Sequence, residues 1–163
     1  MKPTRNSVAR GELALVDSAG KMQALQMRLQ ADEVKDGIEH FEPYGFTSCP
    51  HPGAEGIAVF LGDGRSHGVV VCVADRRFRL VGLKGGEVAL HTDEGDFLHF
   101  KRGREISIET ATLRIKAETA VEFDTPEIRT TGRIVSDGDQ VAMGVSQALH
   151  VHEGSDKKPV PGG

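Results

Sequence analysis

The stretch REISIETATLRIKAETAVEFDTPEIRTTGRIV, residues 104–135, decides how the chain folds. Its apolar or threonine residues come in pairs two apart, Ile106/Ile108, Leu113/Ile115, Val121/Phe123 and Ile128/Thr130, followed by Val135. The first members fall seven or eight residues apart. A spacing of two within each pair puts both side chains on one face of a strand, whereas a coiled coil would place its apolar residues three and four apart. Charged residues (Glu109, Lys116, Glu122, Asp124, Arg129) fill the opposite face. The period therefore predicts a ladder of very short strands, each apolar on one side. Such repeats cannot bury that side alone and gain stability only by stacking. The chain offers no amphipathic helix to cover the ladder. Closed cyclic association covers it and removes exposed strand edges, and threefold winding suits a narrow β-prism with one aliphatic layer per face.

Upstream of this ladder, residues 8–83 read as a β-domain. Val8–Asp17 and Gln23–Gln30 are strand-like and joined by Ser18-Ala19-Gly20-Lys21. Lys21–Val34 also has a helical spacing (Met22, Leu25, Leu29), but the strand reading is preferred because antiparallel neighbours flank it. Glu42–Thr47 is short and broken by Pro43 and Gly45. Gly56–Leu61 and Gly68–Asp75 are the most apolar strands, with Gly62-Asp63-Gly64 as their hairpin turn. Five or so short strands with glycine-rich turns and no helix predict a small barrel of the OB-fold kind. After Gly85-Gly86, Glu87–His91 and Asp96–Phe100 form short strands around a turn at Thr92–Gly95. The expected organisation is a barrel over 1–85, a shaft over 86–145, and an apex with a polar tail over 146–163.

Composition agrees with a fold closed by association. The 163 residues include 20 glycines, one tyrosine and no tryptophan, thin material for a large monomeric core. A net charge of −4 gives no reason to expect general affinity for nucleic acid or anionic membranes. Cys49 and Cys72 lack framework spacing and read as reduced thiols. No stretch has the length and apolarity of a membrane helix, and Met1–Arg10 lacks the apolar region of a signal peptide.

The ladder ends near His150-Val151-His152. Histidines at i and i+2 on a strand share a face, and a threefold axis beside them would gather six imidazole nitrogens around one point. Six such ligands favour an octahedral ion such as iron, nickel or cobalt over tetrahedral structural zinc. Without that axis the pair is a surface H-x-H beside a polar tail.

The segment Asp139-Gln140-Val141-Ala142-Met143-Gly144-Val145-Ser146, followed by Leu149-His150-Val151-His152-Glu153-Gly154, resembles the C-terminal signature of the phage baseplate assembly protein V family, in its Mu-like branch. Pro43–Ser48, Pro52–Gly56, Gly62–Arg79 and Glu87–Leu90 are similar to the same family, in the same order. The resemblance implies an all-β homotrimer: an OB-fold collar, an intertwined triple-stranded β-helix shaft and a metal-bound apex. It implies the central spike of a contractile phage tail, made in the host cytoplasm and carried at the tip of the baseplate. The collar would bind other baseplate and tail-tube proteins, and the tip would meet the host outer membrane transiently. Carried over, His150 and His152 are the ligands of one iron ion per trimer, with calcium and chloride also associated with shafts of this kind. Cys49-Pro50-His51 departs from the family pattern.

Other chemistry is sparse. Cys49 and His51 have no partner pair of ligands and read as a solvated loop. Arg76-Arg77-Phe78-Arg79 is the one basic cluster. A nucleic-acid-binding OB module is the alternative reading, but stacking aromatics are in short supply. His91, Asp93 and His99 could exchange protons, yet no nucleophile or metal-assisted step is legible beside them, so no enzymatic activity is expected.

Overall fold

In the segment with the double reading, burial alternates strictly: Gln23, Leu25, Met27 and Leu29 point inward while the residues between them do not. Period two is a strand, and Gln23–Arg28 is β2 of a closed five-stranded barrel. The structure is a computed structural model that describes residues 7–30, 33–61 and 65–151. The expected turn at Gly62-Asp63-Gly64 and the tail beyond residue 152 lie outside the described residues. Among those described there is no helix, and the fold is all-β.

The barrel comprises β1 (Val8–Asp17), β2, β3 (Val34–His40), β4 (Glu55–Leu61) and β5 (His67–Ala74), closed in the order β1-β2-β3-β5-β4. All neighbours are antiparallel except β3 and β5, which run parallel with Glu39 opposite Val69 and His40 opposite Val70. Sequence reading missed β3 and looked instead to Glu42–Thr47, which is loop. The reason is Val34-Lys35-Asp36-Gly37-Ile38-Glu39-His40 itself: only Ile38 and His40 are buried, so the strand lacks an apolar stripe. His40 is buried as a polar group, its Nδ1 2.9 Å from Gln23 Oε1, and Gln23 Nε2 donates to the Ser48 carbonyl at 2.8 Å.

Leu13, Leu25, Met27, Leu29, Ile38, Ala54, Ala58, Phe60 and Val70 form the core. A bulge in β1 between Leu13 and Leu15 resets the alternation, turning Leu15 out and letting Val16 pack against the core. Small residues make the closure possible. A Cβ on Gly11 would stand 2.5 Å from the Arg28 carbonyl oxygen and 2.7 Å from Leu29 Cδ2. Gly11→Ala is therefore expected to destabilise the barrel by about 2 kcal/mol, because backbone must move to admit the methyl. Denaturant unfolding followed on the barrel checks this, and an unchanged midpoint would refute it.

The chain divides into two units between Arg114 and Ile115. The first also holds a three-stranded antiparallel sheet of β6 (Val88–His91), β7 (Phe97–Lys101) and β8 (Glu105–Glu109), in that order. The first pair of the period, Ile106/Ile108, thus belongs to this sheet. The second unit contains one short hairpin, β9 (Val141–Ala142) with β10 (Val145–Ser146). From 110 to 140 the chain makes no regular strand of its own. It bends at 118–119, 125–126, 131–132 and 137–138, and extended segments lie between. Hydroxyls mark three of these bends: Thr125, Thr130 and Ser136 each donate to the carbonyl two residues on, at 3.1, 3.3 and 2.8 Å.

Candidate interaction surfaces and the histidine terminus

Among the described residues, no apolar residue beyond Val70 is fully buried. Val73 still packs against the barrel core, but most large apolar residues after it are exposed. In the three-stranded sheet the register aligns Val88 with Phe100 and Ile106, and Leu90 with Leu98 and Ile108. Alternation puts all six on one face, and five of them are exposed, Val88, Leu90, Phe100, Ile106 and Ile108. The second unit continues the pattern: Ile115, Val121, Phe123, Ile128, Ile134 and Val135 are each between 49% and 71% exposed. Exposed apolar side chains clustered like the five on the sheet face mark an interaction site. Among the described residues, the backbone groups of 110–139 take no part in backbone ladders, and a few of them are held by Thr125, Thr130 and Ser136 instead.

The polar side of the sheet is organised by Glu87. Its carboxylate accepts the amides of Lys84 at 2.9 Å and Arg102 at 3.1 Å, and faces His99 Nε2 at 3.2 Å. Those two amides, then the His99 ring, hold the carboxyl below its usual value of 4.5. A folded value below the unfolded one gives stability that is present in full above the unfolded value and is lost as pH falls through the folded value. Acidification from roughly pH 6 to pH 3 should therefore lower the sheet's unfolding midpoint, and Glu87→Gln should flatten that slope. A parallel pH profile in the variant would show that Glu87 is not its source.

The basic cluster is largely neutralised within the chain. Arg76 Nε donates to Glu55 Oε1 at 2.8 Å, and Arg77 grips Asp75 through Nε at 2.9 Å and Nη2 at 2.6 Å while donating to the Pro52 carbonyl at 2.9 Å. Glu55 also pairs with Arg10. His51 pairs with Asp93 at 3.1 Å and its ring meets Phe78, so it ties the loop before β4 to the β6–β7 turn. His91 enters no such pair. Cys49 and Cys72 are free thiols, both exposed.

Sequence reading overlooked one surface. Pro43-Tyr44-Gly45-Phe46 makes a turn closed by Phe46 N to the Pro43 carbonyl at 3.0 Å, with Gly45 at φ 84°. Glu42 fastens its far side by accepting Ser48 N at 2.7 Å and the Thr47 hydroxyl at 2.9 Å. The loop displays Phe41, Tyr44 and Phe46, with Tyr44 fully exposed. The Pro-x-Gly turn signal was present in the sequence, and only the outward aim of the three rings was not.

At the chain's end, His150 sits just after β10. Its Nδ1 lies 2.9 Å from the Ser146 carbonyl and 3.1 Å from that of Gln147. A carbonyl only accepts, so Nδ1 is the donor, and in the neutral ring that leaves Nε2 as the nitrogen able to ligate a metal. His152 lies outside the described residues. Among those described, no three His, Cys, Asp or Glu side chains gather in one chain as a metal site. The six-nitrogen arrangement that the resemblance implies draws its ligands from three copies, and the tautomer of His150 fits it.

Comparison with known proteins bears on these surfaces. Residues 10–77 match the family described as bacteriophage Mu Gp45, N-terminal. The Mu-like prophage FluMu protein gp45 of Haemophilus influenzae is 37% identical over 166 residues, covering 94% of this chain and 90% of that protein. The baseplate puncturing device gp45 of Escherichia phage Mu is 28% identical over 171 residues, covering 94% of this chain and 87% of its own length.

Proposed function

The chain belongs to the bacteriophage Mu gp45 family of baseplate spike proteins, and from that premise we propose that three copies wind about one axis into a central tail spike that pierces the host outer membrane. One observation carries the reading: in each unit the apolar residues of the period, from Ile106 and Ile108 to Ile128 and Val135, stand exposed among the described residues. Three copies wound together bury those residues. They also give the unladdered backbone of 110–139 neighbours to bond. Axial load during sheath contraction is then shared by many interchain hydrogen bonds, and no single interface carries it.

The barrel, of the OB kind, is the collar. Its aromatic loop at Phe41, Tyr44 and Phe46 supplies rigid apolar contacts for other baseplate and tail-tube proteins. These rings also give the nucleic-acid alternative a stacking surface, but a strand-binding groove needs cationic residues along its backbone track. Arg76 and Arg77 are committed to Glu55 and Asp75 instead. The role is mechanical and involves no catalysis.

At the apex, His150 and His152 of three chains hold one iron ion. Bound iron would supply a cross-link among three chain ends, and the protein's part would be to bring the imidazoles of three chains together.

Light scattering on a size-exclusion column, followed by elemental analysis of the same peak, tests both levels. A mass near three times 17.5 kDa with one iron per three chains is the expected result. A metal-free 17.5 kDa species would overturn the spike.

A further inference from the structure

The residues before His150 form a cap around it. β9 and β10 are joined by Met143-Gly144, both at positive φ (51° and 78°), the two-residue hairpin connection that matches strand twist. The chain then makes a single turn in which His150 N donates to the Ser146 carbonyl at 3.2 Å. Ser146 opens that turn as an N-cap residue does: its Oγ accepts Leu149 N, three residues on, at 2.8 Å. Asp139, at the foot of the hairpin, accepts Ala148 N at 3.0 Å. The Ser146 hydroxyl, then the Ala148 amide, hold its carboxyl below the usual value. Ser146 Oγ thus holds Leu149 N while Asp139 Oδ1 holds Ala148 N of the same turn. With the turn fixed in this way, the Ser146 carbonyl stands 2.9 Å from the His150 ring.

We propose that Asp139 and Ser146 are positioning residues for His150: by capping the turn 146–150 they keep its ring proton on Nδ1 and turn Nε2 toward the metal. The proposal rests on the metal reading of the apex given above. It accounts for residues that neither the ladder period nor the histidine pair explains, since Asp139 and Ser146 bury nothing and lie on no apolar face. Outer partners of this kind fix tautomer and ring direction in metal sites, and losing one weakens binding on the order of tenfold or more.

The test uses the full chain labelled with 15N at histidine, stripped with a chelator and then titrated with ferrous iron. The His150 signal is assigned by its loss in His150→Ala. In the metal-free wild type the imidazole shifts should report a proton on Nδ1. In Asp139→Ala and Ser146→Ala they should move toward the Nε2-protonated form that free histidine prefers, with iron affinity falling on the order of tenfold. Ser146→Thr keeps the hydroxyl and should restore both readouts, which separates loss of the cap from general disturbance. Variants that match the wild type in tautomer and affinity would overturn the proposal while leaving the metal reading intact. A wild type that takes up no iron overturns the metal reading and the proposal with it.

Discussion

Phe123→Glu is expected to convert the protein from a species of about three times 17.5 kDa to one of 17.5 kDa, with its barrel intact. In an isolated chain the same change is nearly silent. Phe123 is 66% exposed, and surface substitutions away from special features usually stay within about 0.5 kcal/mol. Around a threefold axis the substitution places three carboxylates in an apolar layer, and each unpaired buried charge costs several kcal/mol. The two cases differ so widely that mass alone decides between them. The neighbouring Glu122 provides the control, since alternation turns it to the opposite face: Glu122→Gln should leave the mass unchanged. The barrel provides a second control. Every core residue lies at or before Val70, so its unfolding transition should persist in the variant. Scattering at the wild-type mass for Phe123→Glu would sink the threefold core.

The same separation between a self-sufficient barrel and a face without an internal partner explains what sequence reading could and could not see. β2 was legible against a helical alternative only through the strands flanking it, since Met22, Leu25 and Leu29 also fit a helix, whereas β1, β4 and β5 were read as strands directly. β3 carries almost none. Its inward residues are Ile38 and a histidine satisfied by Gln23, and a polar side chain bonded at long range leaves no periodic trace. The ladder was legible as pattern because its apolar pairs recur, but pattern does not say where a sheet within one chain gives way to an open edge. Ile106/Ile108 continue the period and yet pair with β7 in the same chain. At the apex the histidines were visible as ligand chemistry. The cap that orients His150 was not, because it depends on Asp139 reaching across the hairpin to a turn nine residues later.

Replacing both apex histidines, His150→Ala with His152→Ala, should abolish iron binding and leave the trimer mass unchanged. Metal binding contributes to folding only where its ligands are brought together, and here that is the end of the chain, after the barrel and the whole apolar ladder. In the proposed trimer, assembly would rest on the burial of residues such as Leu113, Val121, Phe123 and Ile128, which are exposed in the single chain and do not depend on the metal. The loss should be local: faster amide exchange and earlier proteolysis around β10 and the turn 146–150, with protection in the barrel unaltered. Single replacements sharpen the point. His150→Ala or His152→Ala leaves three nitrogens per trimer, so either variant should hold iron weakly and release it to a chelator that the wild type resists. Iron retained by the double variant would place the metal elsewhere. A monomeric double variant would mean that the ion, and not the apolar ladder, holds the three chains together.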